Sequence, residues 1–375
     1  MNNPTHISPN PEPEVPEVPE GVEDAGSDGW GEYPLDAVFV RTEQRTVGEV
    51  VNRISKGRYI LDPDFQRDFV WSPGKQSKLI ESCIMRIPLP VFYVAEASDG
   101  KIIVVDGLQR LTTFARFVSG ELKLAGLSTG ENSGSHQLEG KSFSDLPLSL
   151  QERVLDTQLT MYILDAKAPE RARLDIFERV NSGAILTRQQ MRNALYNGPA
   201  TQWLKAAAEG PAFRTATAGS LDSKTMRDRE AINRFVAFSL LGWQQYTTGD
   251  MDSYLAEGLK ELASISDDAR LQLRQQFDAA MERNYRLFRQ HAFRKSSAYE
   301  YPGAARSVIN ISLFEVSSVV LAKVDHWMSD DMLRITINDL LRDDVFARAI
   351  TYSTNSTQAV RQRFRMFEEA VGSFK

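Results

Sequence analysis

Residues 101–120, KIIVVDGLQRLTTFARFVSG, constrain the fold of this chain more than any other stretch, because they commit a buried strand, a sharp turn and a helix in immediate succession. Ile102, Ile103, Val104 and Val105 form a β-branched run without polar alternation, the pattern of a strand covered on both faces. Asp106-Gly107 breaks the run. Leu108, Leu111, Ala115 and Val118 then recur at helical spacing, and Gly120 stands where a left-handed helix stop is expected. In such a strand–turn–helix the N–H groups of the first helical turn and the positive end of the helix dipole converge beyond the strand, a setting suited to phosphate or another anion. The same residues also fit a purely structural role, with Asp106 as N-cap and Gln109 at the third helical position in a variant capping box. Arg110 fits neither reading alone: a cation beside the positive helix end is misplaced unless an anion, or a carboxylate such as Asp106, meets it.

A chain of 375 residues with 42% hydrophobic content can bury a sizeable core and is expected to hold about two domains. No apolar run approaches the ~18 residues of a membrane span, and the N-terminus lacks the basic start and apolar core of a signal peptide. Cys83 is the only cysteine, which excludes a disulfide within the chain and any thiolate-rich metal site and points to a reducing cytoplasm. His6, His136, His291 and His326 are scattered, with no pair at ligand spacing, which argues against a zinc site or a histidine–metal nuclease motif. The formal net charge of −6 hides an asymmetry: residues 1–36 hold nine of the 50 acids and no Lys or Arg. That leaves 41 acids against 44 bases, a net of +3, in the remainder. A slightly basic body permits nucleic acid or nucleotide as a partner without indicating it.

Residues 1–36 carry seven of the sixteen prolines, in repeats such as PEPEVPEVPE, and read as a disordered acidic tail. Order is expected from near Val38. Thr46 and Glu49 make a capping box ahead of Val47, Val50, Val51 and Ile54. Ser72 and Pro73 announce a helix whose apolar line is Leu79, Cys83 and Ile87, ended by Pro88 and Pro90. A strand over 91–95, a turn at Ser98-Asp99-Gly100 and the strand at 102–105 form an antiparallel hairpin. Before the Ser72 helix, Phe65, Gln66, Arg67, Phe69 and Trp71 mix aromatics with an amide and a guanidinium. Aromatics there suit a core, but the Gln66-Arg67 pair needs polar partners if buried. Gly74-Lys75 lacks the earlier glycine and the following Ser/Thr of a phosphate loop.

Farther on, 125–145 reads as a surface loop, 159–164 as a strand and Pro169 as a helix start. Thr187 and Gln190 box the next helix after an Asn-Ser-Gly turn, so Arg179, Asn181, Arg192 and Asn193 gather at a helix-turn-helix junction, either as solvated helix ends or facing one cleft. Past residue 198 the pattern is helical throughout, and REAINRFVAFSLLGW is apolar on too many sides for a surface helix. Arg227, Arg229, Arg361, Arg363 and Arg365 in this half are either solvated or in reach of a phosphate.

DGLQRLTT, DFQRDFVWSPGKQSKLIES, IFERVNSGAILTRQQMRNALY and KTMRDREAINRFVAF, in this order and spacing over roughly 40–240, together resemble the N-terminal domain family of the GmrSD modification-dependent restriction enzymes, a branch of the ParB/sulfiredoxin-like superfamily. The resemblance implies an α+β fold: a small mixed β-sheet domain, ParB/sulfiredoxin-like, at 37–198, followed by a mostly α-helical domain at 199–375. It also implies nucleotide binding, with NTP hydrolysis, in a sensor or regulatory component of a DNA-restriction or anti-phage system. By position, the family's D-G-Q-Q-R signature falls on Asp106, Gly107, Gln109 and Arg110, its F-Q-R block on Phe65, Gln66 and Arg67, and its later block on Arg179 and Asn181. The implied roles are phosphate binding by Gly107, Arg110, Arg67, Arg179 and Asn181, orientation of a water by Gln66 or Gln109, and a hold by Asp106 on magnesium or the arginine. The cofactor would be an NTP with magnesium. Partners would be nucleotide, DNA and a separate nuclease or defence subunit, since residues 240–375 show no HNH-type motif. Leu108 stands where the family commonly has Gln; facing the core it changes little, facing a ligand it removes an amide. A metal-dependent nuclease and a non-catalytic DNA or protein adaptor are the alternative readings.

Overall fold

The computed structural model describes residues 17–21, 40–61, 71–97, 99–127, 137–180, 186–298, 305–324 and 329–372. The chain divides into two compact units, one of Asp28–Asn197 and one of Gly198–Lys375 together with Met1–Ser27. The fold is α+β, a small mixed sheet with a helical C-terminal part. Among the described residues no helix is long and apolar enough to cross a membrane.

The first unit runs β1 (Val40–Thr46), α1 (Val47–Ser55), β2 (Tyr59–Ile60), α2 (Pro73–Ile84), β3 (Phe92–Glu96), β4 (Ile102–Asp106), α3 (Leu108–Val118), α4 (Leu148–Leu155), β5 (Gln158–Leu164), α5 (Glu170–Val180) and α6 (Arg188–Leu195). Its five strands are ordered β1-β5-β3-β4-β2. The hairpin expected around Asp99-Gly100 is present, with β3 antiparallel to β4 and Ala97 donating to the Lys101 carbonyl at 2.9 Å. β5 lies parallel to β3 and antiparallel to β1. In β4 the side chains of Ile102 to Val105 are all buried, as an uninterrupted apolar run requires. β1, VRTEQRT, has almost no apolar residue and tolerates this because it is an edge strand.

The helix starts follow the expected chemistry. Thr46 accepts from Glu49 N at 3.1 Å, Ser72 from Lys75 N at 3.4 Å, and Thr187 and Gln190 form a reciprocal capping box. α2 stops earlier than its apolar line suggests. It ends at Ile84, Arg86 turns the chain with φ 60°, and Ile87 lies exposed outside the helix. Within α2, burial pushes the Cys83 thiol up to about 11, so this cysteine is a packing residue and not a nucleophile.

The second unit contains α7 (Pro199–Ala208), α8 (Pro211–Thr217), α9 (Arg227–Leu240), α10 (Met251–Ser264), α11 (Asp267–Phe288), α12 (Ile311–Leu321), α13 (Asp330–Arg342), α14 (Asp344–Ala349) and α15 (Thr357–Val371). α9 is its core helix, buried from Asp228 to Phe238. α12 is buried along its whole length, including Glu315. That carboxylate is shared by two buried arginines: Oε2 accepts from Arg234 Nη1 at 3.0 Å and Oε1 from Arg363 Nε at 2.7 Å. Arg363 therefore neither lies on a solvated face nor reaches for phosphate, because burial of its charge is offset by Glu315 and by the Thr354 carbonyl at 2.6 Å. Residues 17–21, part of the stretch read as a disordered tail, are likewise held in this unit, with Glu17 N and Glu20 N donating to the carbonyls of Ser220 and Ile309.

Glu315→Ala would leave two guanidiniums buried without their carboxylate and is expected to cost about 3–5 kcal/mol in urea denaturation, against less than about 0.5 for the exposed Glu257→Ala. Asp228 gives a pH test. Burial pushes its carboxyl up to about 6, so the native state holds the proton more tightly than the unfolded chain. Its contribution is fully present below the ordinary value near 4 and is lost as pH rises through about 6. Stability of the wild type relative to Asp228→Asn is expected to fall over that window. A flat difference would refute the assignment.

Candidate functional site

β4 ends at Asp106 and α3 starts at Leu108, leaving Gly107 alone to reverse the chain. Its φ of 103° is one that side-chain-bearing residues rarely adopt. Space demands glycine as well: a Cβ there would stand 2.4 Å from Phe92 Cδ1 and 3.2 Å from Arg110 Nη2. Gly107 is the N-cap of α3 and has no side chain with which to cap the first turn. The capping box of Asp106 with Gln109 is therefore not formed. Asp106 lies one residue too early, and Gln109 is directed elsewhere, its Oε1 accepting from Trp71 N at 3.3 Å.

Arg110 is buried, and its guanidinium is engaged on three sides. Nη1 donates to the Pro90 carbonyl, Nη2 donates to the Val91 carbonyl at 3.0 Å and to Asp106 Oδ2 at 2.9 Å, and the carbon of the fork sits 4.1 Å from the centre of the Phe92 ring. Burial lowers the Arg110 pKa from its ordinary value and the Asp106 charge opposes that shift, but a guanidinium stays protonated in any protein. Asp106 thus meets the arginine while about a third of its side chain remains exposed. Leu108 is half-buried against the hydrophobic core. Trp71 is fixed in turn: Gln76 Nε2 donates to its carbonyl at 2.9 Å, and Lys75 Nζ lies 4.6 Å from its ring centre.

The remaining candidates divide. Gln66, Arg67 and Asn181 lie outside the described residues. Arg179 is in the last turn of α5, with an exposed side chain. Arg192 and Asn193 are buried instead of solvated, linked through Gln189, which accepts from Arg192 Nη1 and donates to Asn193 Oδ1, both at 3.0 Å. An apolar cleft lined by Tyr93, Val105, Tyr162, Ile176 and Val180 has a volume of only about 10 Å³, far below the roughly 300 Å³ at which small-molecule pockets begin. Among the described residues no group of three or more His, Cys, Asp or Glu is placed to hold a metal ion. Phe92 and the carbonyls of Pro90 and Val91 are the participants the residue pattern does not reveal. Pro88 and Pro90 signal extended chain, yet nothing local says that its carbonyls meet an arginine twenty residues on.

A small mixed sheet whose interior strand β4 feeds a glycine-hinged helix, clasped by a buried arginine, defines this unit as a compact α+β domain organised around one strand-to-helix turn. Residues 47–197 match the family model described as GmrSD restriction endonuclease, N-terminal domain, a similarity that suggests a component of a restriction or defence system. No curated protein and no solved structure matches the chain.

Gly107→Ala is expected to lose about 2–4 kcal/mol of stability, from the left-handed φ and the clash with Phe92 together. In a Phe92→Leu background the same change should cost less, giving a double-mutant coupling above about 0.5 kcal/mol in urea denaturation. Additive losses would show that ring and glycine are not in contact.

Proposed function

We propose that the GmrSD-type domain binds a nucleotide at the 106–110 turn, with NTP hydrolysis as the associated activity, and serves as a sensor or regulatory component of a DNA-restriction or anti-phage system. One observation carries this reading: α3 begins at a glycine beyond the end of a buried strand, and that glycine has no side chain to cap the first turn. N–H groups at such a helix start donate to phosphate oxygens, the dipole favours an anion, and without a Cβ at Gly107 a ligand can approach closely. Asp106 is the only carboxylate placed at the turn by the contacts described, and a phosphate beside it is repelled unless a cation intervenes. That donor set does not suit a metal held by protein alone. It suits magnesium carried by the nucleotide, which commonly takes one or two carboxylates with phosphate oxygens and water completing its shell.

Arg110 has a different role from the one its signature position implies. It is a positioning residue that fixes Asp106 and the strand entrance, not a free phosphate ligand. Gln109 ties the turn to Trp71, at the end of the segment containing Gln66 and Arg67. Those two residues, with Arg179 and Asn181, complete the proposed site by resemblance, Gln66 orienting water and the others binding phosphate. A separate nuclease or defence subunit would supply DNA cleavage. The engagement of both Nη1 and Nη2 of Arg110 by the protein favours a second reading, in which the turn is a structural clasp and the domain an adaptor. A metal-dependent nuclease is supported less, for want of a carboxylate cluster among the described residues.

Calorimetric titration with ATP and GTP in magnesium separates the two leading readings. Saturable binding is expected, weakened about tenfold, roughly 1.4 kcal/mol, by Asp106→Asn, with the variant still folded. No binding of any nucleoside triphosphate would leave the clasp alone.

A further inference from the structure

We propose that the helical unit carries a recognition groove for an extended acidic peptide of the form Glu-x-Pro-Glu-Gly, filled in this molecule by its own residues 17–21. The segment Glu17-Val18-Pro19-Glu20-Gly21 lies along the unit with strand-like backbone bonds. Glu17 N donates to Ser220 O at 2.9 Å, Glu20 N to Ile309 O at 2.8 Å, and Ile311 N returns a bond to Glu20 O at 2.8 Å. Both glutamates meet cations. Glu17 takes Arg294 Nη1 at 2.6 Å and Arg306 Nη2 at 3.1 Å, and Glu20 takes Lys295 Nζ at 2.5 Å and Asn310 Nδ2 at 3.3 Å.

Two features set this apart from loose attraction between an acidic tail and a basic surface. The first is that the groove is built from the interior: Arg294 is about 1% exposed and held by Ser220 Oγ at 2.7 Å, while Asn310 is fully buried and caps α12 through its own Oδ1. A buried guanidinium in that place calls for an anion of fixed position. The second is register. The sequence repeats Glu14-Val15-Pro16 as Glu17-Val18-Pro19, so a slip of three residues would present Glu14 and Glu17 to the same cations. Gly21 forbids the slip, because it sits at φ 84° with its carbonyl bonded to Thr354 Oγ1 at 3.1 Å, and the slipped chain would put Val18 in that conformation. Prolines restrict the free segment to extended forms, and in a polyproline II chain, with three residues per turn, glutamates three apart share one face. Val18 is 85% exposed and unread, whereas Pro19 beside it is buried and belongs to the motif.

The test uses the full-length chain. Glu17→Lys with Glu20→Lys vacates the groove, and a fluorescent peptide of residues 11–21 is the probe. The variant is expected to bind it saturably and at least about tenfold more tightly than the wild type, whose tethered segment competes at an effective concentration near millimolar. Adding Lys295→Glu to the variant, or replacing Gly21 by Val in the peptide, should abolish binding. Equal binding to both proteins, or none to the variant, overturns the proposal. So does displacement by mixed-sequence duplex DNA as effective as by unlabelled peptide, which would make the groove a general polyanion site. Hydrogen exchange on the unaltered protein guards against a misfolded variant: the Glu17 and Glu20 amides should be protected and lose protection in excess peptide, and unprotected amides overturn the proposal independently.

Discussion

The turn at Gly107 depends on a single buried guanidinium. Arg110 draws together the carbonyls of Pro90 and Val91, the carboxylate at the end of β4 and the face of Phe92, which is the first residue of β3. A charge buried this far is tolerable only when its donors are satisfied, and the carbonyls share that work with Asp106. The arrangement also resolves the electrostatic misfit of an arginine beside a helix N-terminus, since Asp106 Oδ2 meets the cation at 2.9 Å. Glycine at 107 follows from the same clasp. Once Phe92 lies under the guanidinium, the turn runs directly over its ring and leaves no room for a Cβ.

The helical unit meets the problem of buried charge differently. There one carboxylate, Glu315, serves Arg234 and Arg363 together, and helices 9, 12 and 15 are tied at one point by charge-assisted bonds. The gain is geometric more than energetic, because an apolar replacement of a whole buried network often costs little while removal of one member costs much. In the α+β unit, by contrast, the acid of the clasp stays at the rim with part of its side chain open to solvent. An acid enclosed like Glu315 can only hold structure. One at the rim keeps the capacity to meet a ligand or a cation.

Elements whose cause is local were readable from residues alone. β4, the left-handed stop at Gly120, the Ser72 cap and the Thr187–Gln190 box each follow from a few neighbouring side chains. Elements whose cause is distant were not. β1 has no apolar alternation and is a strand only because β5 offers it a partner over seven residues. Ile87 continues the apolar spacing of α2 but falls after the chain has turned at Arg86. Asp106 reads as an N-cap until the strand pairing carries it to the last position of β4 and passes the cap to Gly107. Composition misjudged residues 17–21 for the same reason, since the cations that order them lie some 280 residues later. Low hydrophobicity argues for disorder only while no specific counter-charge waits elsewhere in the fold.

The position of Leu108 separates what the fold has to keep from what a ligand would use. Successive residues in the first turn of a helix point about 100° apart, so Leu108 and Leu111 can face the core while Gln109 faces away from it. An amide at 108 would have entered that apolar side and needed a partner there, whereas leucine packs without one. Leu108 therefore belongs to the structural face of the helix. On the other face the chain retains a carboxylate, a glycine and an amide, Asp106, Gly107 and Gln109, at the end of a strand buried on both sides. Structural demand explains Gly107 and Arg110 in full, and it accounts for one oxygen of Asp106.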